Sequence, residues 1–306
     1  MPEARDTSAS RTLGAERYAE VVRRERGGLL ALAERHLTAE SATGDAAGHG
    51  TGDVAGHGTG DAAGHGTGGG AAVDRAEELV VEAVFRVWRE TLSAAALDSL
   101  PERLADAVRR PVAAGRGSAH PARHPMSPGR IRRAVRVLAE LPRRQLAALW
   151  LAEAEELPVA AVARLLESNH HVVAALLRRA RENARSGYLL SQPGEGAPSP
   201  ECAERRHRMP AHVRGAVSEE DDWEFRRHLA DCADCLTHWD RLARVDEHWP
   251  RLLGPALLWL YVVDAPEQLV ELADAALAVR EDPEVNAGSA RTPLRVVRRF
   301  AARAFG

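Results

Sequence analysis

The chain has no lysine, only three cysteines and few aromatic residues, and each scarcity narrows what it can be. With lysine absent, all 41 basic side chains are arginine. Together with abundant alanine this marks GC-rich coding, so an arginine is not by itself a sign of selected guanidinium chemistry. The formal net charge of -3 gives no global attraction to nucleic acid, and any such binding must come from a local patch. Long apolar runs are also missing. The longest, 252–263, is about half the ~20 residues a spanning helix needs, and Pro255 interrupts it. The first residues, MPEARDTSASRTLG, are polar and mixed in charge, unlike a secretory signal. No HExxH, phosphate loop or nucleophile elbow occurs, so the expectation is a protein that is not an enzyme.

What the chain does have is a particular placement of its cysteines. Cys202 stands alone, and Cys232 and Cys235 form Cys-Ala-Asp-Cys with His228 four residues earlier. On a helix and its frayed end, spacings of i, i+4 and i+7 bring one imidazole and two thiolates to one side. Cys202, a helix-length upstream, then supplies the fourth ligand of a tetrahedral Cys3His zinc site. His207, His212 and His238 are near enough in sequence to be rival ligands. The competing reading is a redox dithiol, but no βαβ pattern surrounds it. Four protein ligands leave no open position for catalysis, so the zinc is expected to be structural. Thiols reserved for metal place the protein in a reducing cytoplasm.

The periodicity of the rest predicts an all-α protein. Residues 15–39 read as one or two amphipathic helices, with Tyr18, Val21, Val22, Leu29, Leu30, Leu32 and Leu37 as the apolar stripe. A Gly/His/Asp repeat loop at 44–70 follows, built from GDAAGHGT, GDVAGHGT and GDAAGHGT. It is glycine-rich with no apolar face, so it reads as an expanded loop. His49, His57 and His65, with Asp45, Asp53 and Asp61, offer a weak chelating alternative. Helical pattern resumes at Asp74, where Asp74 and Glu77 suit a capping box, and Pro101 opens a further helix. Residues 111–129 are rich in Pro, Gly and Ser and read as a linker. Between 130 and 185 lie four helical stretches. The last two, joined by Glu167-Ser168-Asn169, have the helix-turn-helix pattern, with Val162, Ala163, Leu166, Val173 and Leu177 as shared core and Asn169 as N-cap. A second linker at 186–200 precedes the cysteine segment. The final stretch, 293–305, reads as a basic amphipathic helix that docks on its own protein, with membrane or nucleic-acid contact as the alternative.

The order of these parts resembles the extracytoplasmic-function sigma factors of bacterial RNA polymerase. DRAEELVVEAVFRVWRE at 74–90 is similar to the region-2 helix of that family. The resemblance implies that Asp74, Glu77, Glu78, Leu79, Phe85 and Trp88 meet the polymerase β′ coiled coil. LPRRQLAALWLAEAEELPVAAVARLLESNHHVVAALLRRAR at 141–181 is similar to region 4. Cys202 with His228, Cys232 and Cys235 resembles the zinc-binding anti-sigma domains, which clamp a sigma factor. The implied plan is a region-2-like module at 12–110, a region-4-like helix-turn-helix at 130–185 and a small zinc-binding anti-sigma-like helical domain with C-terminal helices at 201–306. The implied function is a transcription regulator that binds the RNA polymerase core and promoter DNA. The fused zinc domain would modulate it through an intramolecular sigma/anti-sigma-like contact, with no membrane span.

Two departures favour an alternative. Glu167 holds the turn position where the family carries glycine, and Ala174, Ala175 and Leu176 replace polar residues of the recognition helix. Asn169, His170, His171, Arg178, Arg179 and Arg181 remain as DNA-binding candidates, the arginines suited to phosphate. The alternative is a degenerate sigma factor that sequesters polymerase, a sigma factor or an anti-sigma without opening promoters.

Overall fold

The computed structural model describes residues 3–46, 68–90, 98–110, 129–192 and 196–280. Among these the chain is entirely helical, as the periodicity predicts, and no helix is long and apolar enough to cross a membrane. The bulk of the octapeptide loop (47–67), the first linker (111–128) and the basic tail (293–305) lie outside the described residues. The chain divides into two compact units, residues 20–129 and residues 130–306 with 1–19.

The 20–129 unit contains most of α1 (Glu3–Ala46), then α2 (Gly68–Glu90) and α3 (Leu100–Arg109). Residues 15–39 thus belong to one continuous helix. Val21, Val22, Leu29 and Ala33 of α1, Val80, Val84, Val87 and Trp88 of α2, and Leu100, Leu104 and Val108 of α3 are buried. The expected capping box at Asp74 is not formed, because α2 begins at Gly68 and Asp74 lies inside it, buried. Once a helix is nucleated, each further residue costs little, and Ala71 and Ala72 favour extension. Pro101 does stand in the first turn of α3. Arg86 ties α2 to the end of α3 by donating to the carbonyls of Ala107 and Arg110.

The second unit begins with α4 (Arg130–Ala139) and α5 (Arg143–Leu149), which continues into a π-helical turn, Trp150–Ala154. Leu149, Trp150 and Leu151 are all fully buried. This stretch therefore faces core on more than one side, and the wider turn accommodates it. Next come α6 (Val159–Leu165) and α7 (His170–Leu190). Asn169 caps α7, its side chain accepting from the Val172 N–H at 2.9 Å. Glu167 in the turn has φ 45°, the left-handed conformation that favours glycine. All five expected core residues of this pair are buried. α7 runs five residues past the expected boundary at 185, because Tyr188 and Leu189 are buried and keep the helix on the core. Gly187 allows the close approach of α4: a Cβ there would stand 2.8 Å from Val137 Cγ1.

The unit continues with α8 (Pro200–Val213), α9 (Glu219–Asp231), α10 (Ala233–Asp264) and α11 (Pro266–Arg280). α10 packs along α4, the π-helical turn, α7, α8 and α9, and α11 folds back beside it. Trp150 meets Tyr261 edge-on at 5.2 Å, and Tyr188 stacks on Trp249 at 4.6 Å. These pairs join the helix-turn-helix to the distal half of α10.

Two substitutions should move stability in opposite directions. Glu167→Gly relieves a left-handed non-glycine residue and should stabilise the fold by about 0.5–1 kcal/mol. Gly187→Ala, which in an open helix would gain up to ~1 kcal/mol, should instead destabilise by about 1 kcal/mol or more, because the β-branched Val137 must move. Urea unfolding of the zinc-loaded chain checks both signs.

Candidate metal centre

Three helix ends build the centre. Ser199 caps α8, its hydroxyl accepting from the Cys202 N–H at 3.2 Å, and this fixes Cys202 in the first turn. α8 ends in a turn at Gly215, φ 66°, where the N–H groups of Gly215 and Ala216 return to the carbonyls of His212 and Ala211. The chain then re-enters at α9, capped by Ser218 and opened by Glu219, Glu220, Asp221 and Asp222, four acids at the positive end of a helix dipole. His228 lies in the last turn of α9. Cys232 is extended, φ −129° and ψ 98°, and separates α9 from α10, so Cys235 falls in the first turn of α10. Their spacing alone fits one helix and its frayed end; the break at Cys232 makes them two helix ends meeting.

The donor atoms of Cys202, His228, Cys232 and Cys235 all lie within 4.8 Å of one another. Cys202 Sγ is 3.8 Å from His228 Nε2 and 3.9 Å from Cys232 Sγ. A tetrahedral ion with bonds of about 2.3 Å to sulfur spaces its donors about 3.8 Å apart, so the set fits zinc. Cys202 and Cys235 are buried, and His228 and Cys232 are half-buried. The three sulfurs and one imidazole complete a tetrahedron, which is the donor set of a structural site.

The rival histidines are placed elsewhere. His207 is exposed. His212 is buried, with Nδ1 3.2 Å from Asp222 and its ring stacked on Phe225 at 4.1 Å. His238 Nδ1 faces Arg241 at 3.0 Å. The His212–Phe225 stack continues to Trp239 and joins α8, α9 and α10 beside the metal ligands. This small aromatic cluster and Arg206 had no sequence signal. Arg206, one turn after Cys202, donates to the Gly196 carbonyl, and its guanidinium acts to lower the pKa of the Cys235 thiol against the effect of burial. Three thiolates and a dication carry one net negative charge, which the guanidinium offsets.

The two neighbouring thiols differ in acidity. The backbone N–H of Cys235 holds the Cys232 thiol below its ordinary range. Burial pushes the Cys235 thiol up to about 11. Near neutral pH the metal must therefore displace a proton from Cys235 on binding.

The other sequence-derived residues are dispersed. On α2, Asp74, Glu77 and Trp88 are buried, while Glu78, Leu79 and Phe85 are half-buried. On α7, His170, His171, Arg178, Arg179 and Arg181 are exposed, as is the capping Asn169. Arg181 pairs with Glu153 of the π-helical turn at 2.6 Å.

Purified chain should carry zinc in a one-to-one ratio, and Cys232→Ala should lower metal content as read by elemental analysis. Because loading releases a proton from a thiol whose pKa exceeds neutrality, zinc affinity should rise with pH between pH 6 and pH 8. A competitive chelator titration at the two pH values, followed by its dye, reads the sign.

Residues 202–236 match a family model described as "Putative zinc-finger", which spans all four ligands and ends one residue beyond the last. The match lies within the zinc segment and does not extend to residues 1–201. No curated protein and no solved structure matches the chain. The segment is thus similar to a zinc finger and is carried on the same chain as the α6–turn–α7 pair.

Proposed function

We propose that the protein is a sigma-factor-like transcription regulator of the reducing cytoplasm. It binds the RNA polymerase core and promoter DNA, does no catalysis of its own, and is modulated in cis by its zinc domain. The observation that carries this reading is the packing of α10, which begins at the zinc ligands, onto α4, the π-helical turn and α7. On this reading the anti-sigma-like domain lies against the sigma-like helix-turn-helix of its own chain, the kind of partner such domains clamp. The tether makes that contact intramolecular, with an effective concentration of order mM.

On this reading His170, His171, Arg178 and Arg179 face DNA. They are exposed, and the arginines lie far enough along α7 to meet phosphate. Asn169 contributes mainly as a cap, and Arg181 would have to leave Glu153 to reach a phosphate. Glu78, Leu79 and Phe85 remain the accessible part of the polymerase-facing set on α2.

One observation favours the second reading, a degenerate sigma factor that binds proteins without opening promoters. Val172 is 50% exposed on α7, and Ala174, Ala175 and Leu176 beside it offer no hydrogen bond to a base edge. Run-off transcription with core polymerase and a promoter library separates the two, since only the first yields transcript.

Truncation near residue 186 is a poor test of cis control, because it removes the end of α7 together with α10 and exposes the core around Trp150. Asp246→Ala is gentler: it releases Arg185 from α10 and leaves the apolar contacts in place. If the zinc domain restrains the sigma-like modules, this variant should bind core polymerase several-fold more tightly than the parent. Equal affinities in a zinc-loaded pull-down would remove cis restraint.

A further inference from the structure

We infer that metal loading acts on the helix-turn-helix from behind, through a two-sided grip on the C-terminal half of α7, and not by covering its outer face. The outer face is open: His170, His171, Val172, Arg178 and Arg179 are exposed. The inner and C-terminal part of the same helix is held by two of the helices that carry metal ligands. On one side, Glu182 accepts a hydrogen bond from Arg214, at the end of α8, the helix that bears Cys202. On the other, Arg185 Nε and Nη2 each donate to an Asp246 carboxylate oxygen at 2.5 Å, and Asp246 belongs to α10, the helix that bears Cys235. One turn further, Tyr188 stacks on Trp249 of α10 at 4.6 Å with the rings 28° from parallel.

These contacts are strong for their class. The fork between Arg185 and Asp246 is bidentate and only partly solvated, the side chains being 32% and 15% exposed. Arg214 is 16% exposed at its side chain, so losing Glu182 would leave a mostly buried charge. The spacing between the two jaws is set by the cluster that draws Cys202 of α8 and Cys235 of α10 together. Without the ion, burial of the Cys235 sulfur, the influence of Arg206 on it and the stack of His212, Phe225 and Trp239 remain, but no metal bond joins α8 to α10. The jaws then loosen at Glu182 and Arg185, while the burial of α10 from Trp249 onward and the N-cap at Asn169 stay intact. The outcome is graded: the C-terminal half of α7 loosens before its N-terminal half.

The consequence for DNA rests on the reading above; the coupling between metal and α7 does not. Hydrogen–deuterium exchange of the full chain, zinc-loaded and after chelation, reads it with neither DNA nor polymerase present. Chelation should speed exchange of amides 182–190 by about tenfold or more, with α2 unchanged as an internal reference. In Arg185→Ala/Arg214→Ala, with zinc content still one-to-one, those amides should exchange fast before chelation and change little after it. Should that double variant fail to fold, as judged by far-UV circular dichroism, Arg185→Lys should show an intermediate rate, because it keeps the charge and loses the fork. Equal protection of 182–190 with and without zinc would overturn the inference. So would loss of protection spread over every helix including α2, or a double variant whose zinc response stays whole.

Discussion

Burial along one helix is what the structure from residue 130 onward depends on. α10 has 32 residues and is about 48 Å long at 1.5 Å per residue. Its distal half buries Trp249, Leu252, Leu253, Leu257, Leu258, Trp259 and Tyr261. At about 1.5–3 kcal/mol for each large side chain fully removed from water, this end needs no metal to hold it. The proximal end is different. Between 200 and 236 the buried apolar set is Met209, Pro210, Phe225 and Leu229 with two of the cysteines, too little for an independent core. Four metal ligands therefore sit where hydrophobic burial runs short, and α10 carries both solutions on one rod.

The same rod gives α7 two faces with different duties. Toward the core it shares with α4, α5, α6 and α10 it presents Val173, Leu177, Ala180, Ala184 and Tyr188, a regular apolar stripe. Away from it stand the two histidines and Arg178 and Arg179 in water. Polar contacts concentrate at the C-terminal end, where Glu182 and Arg185 reach α8 and α10. The helix is anchored at one end and presented at the other. That division suits an element whose outer residues meet a partner, because the anchor need not be disturbed for the partner to bind.

Much of this was legible in the sequence, for identifiable reasons. Metal ligation is local chemistry with fixed spacing, so Cys202, His228, Cys232 and Cys235 could be picked out before any helix was placed. Asn169, Glu167 and the helix-turn-helix core were equally readable, since a cap and a three-residue turn depend on neighbours in the chain. Helix starts were less so: α2 opens at Gly68 although three glycines argue against it, and the suggested cap at Asp74 is an interior residue. The partner of Arg185 could not be read, because Asp246 lies 61 positions away and nothing local marks it. His228 was readable from its spacing to the cysteines, but the partners of the rival histidines were not: His212 finds Asp222 and His238 finds Arg241. The pattern of apolar residues in α10 shows that it is buried but not against what.

The continuity of α10 bears on how such a chain can be taken apart or reassembled. A recombination break between Leu190 and Pro200 looks harmless in sequence, falling in a Pro- and Gly-containing stretch between two recognisable segments. In three dimensions it would leave Trp150 and Tyr188 bare on one product and Trp249 and Tyr261 on the other. The two segments therefore cannot be exchanged as cassettes with free-standing relatives unless the new partner brings an equivalent apolar rod. Selection on either segment is felt by the other, and a substitution tolerated in a stand-alone helix-turn-helix, such as a polar residue at 150, would be rejected here. The packing along α10 makes the two segments a single structural unit, not two interchangeable parts.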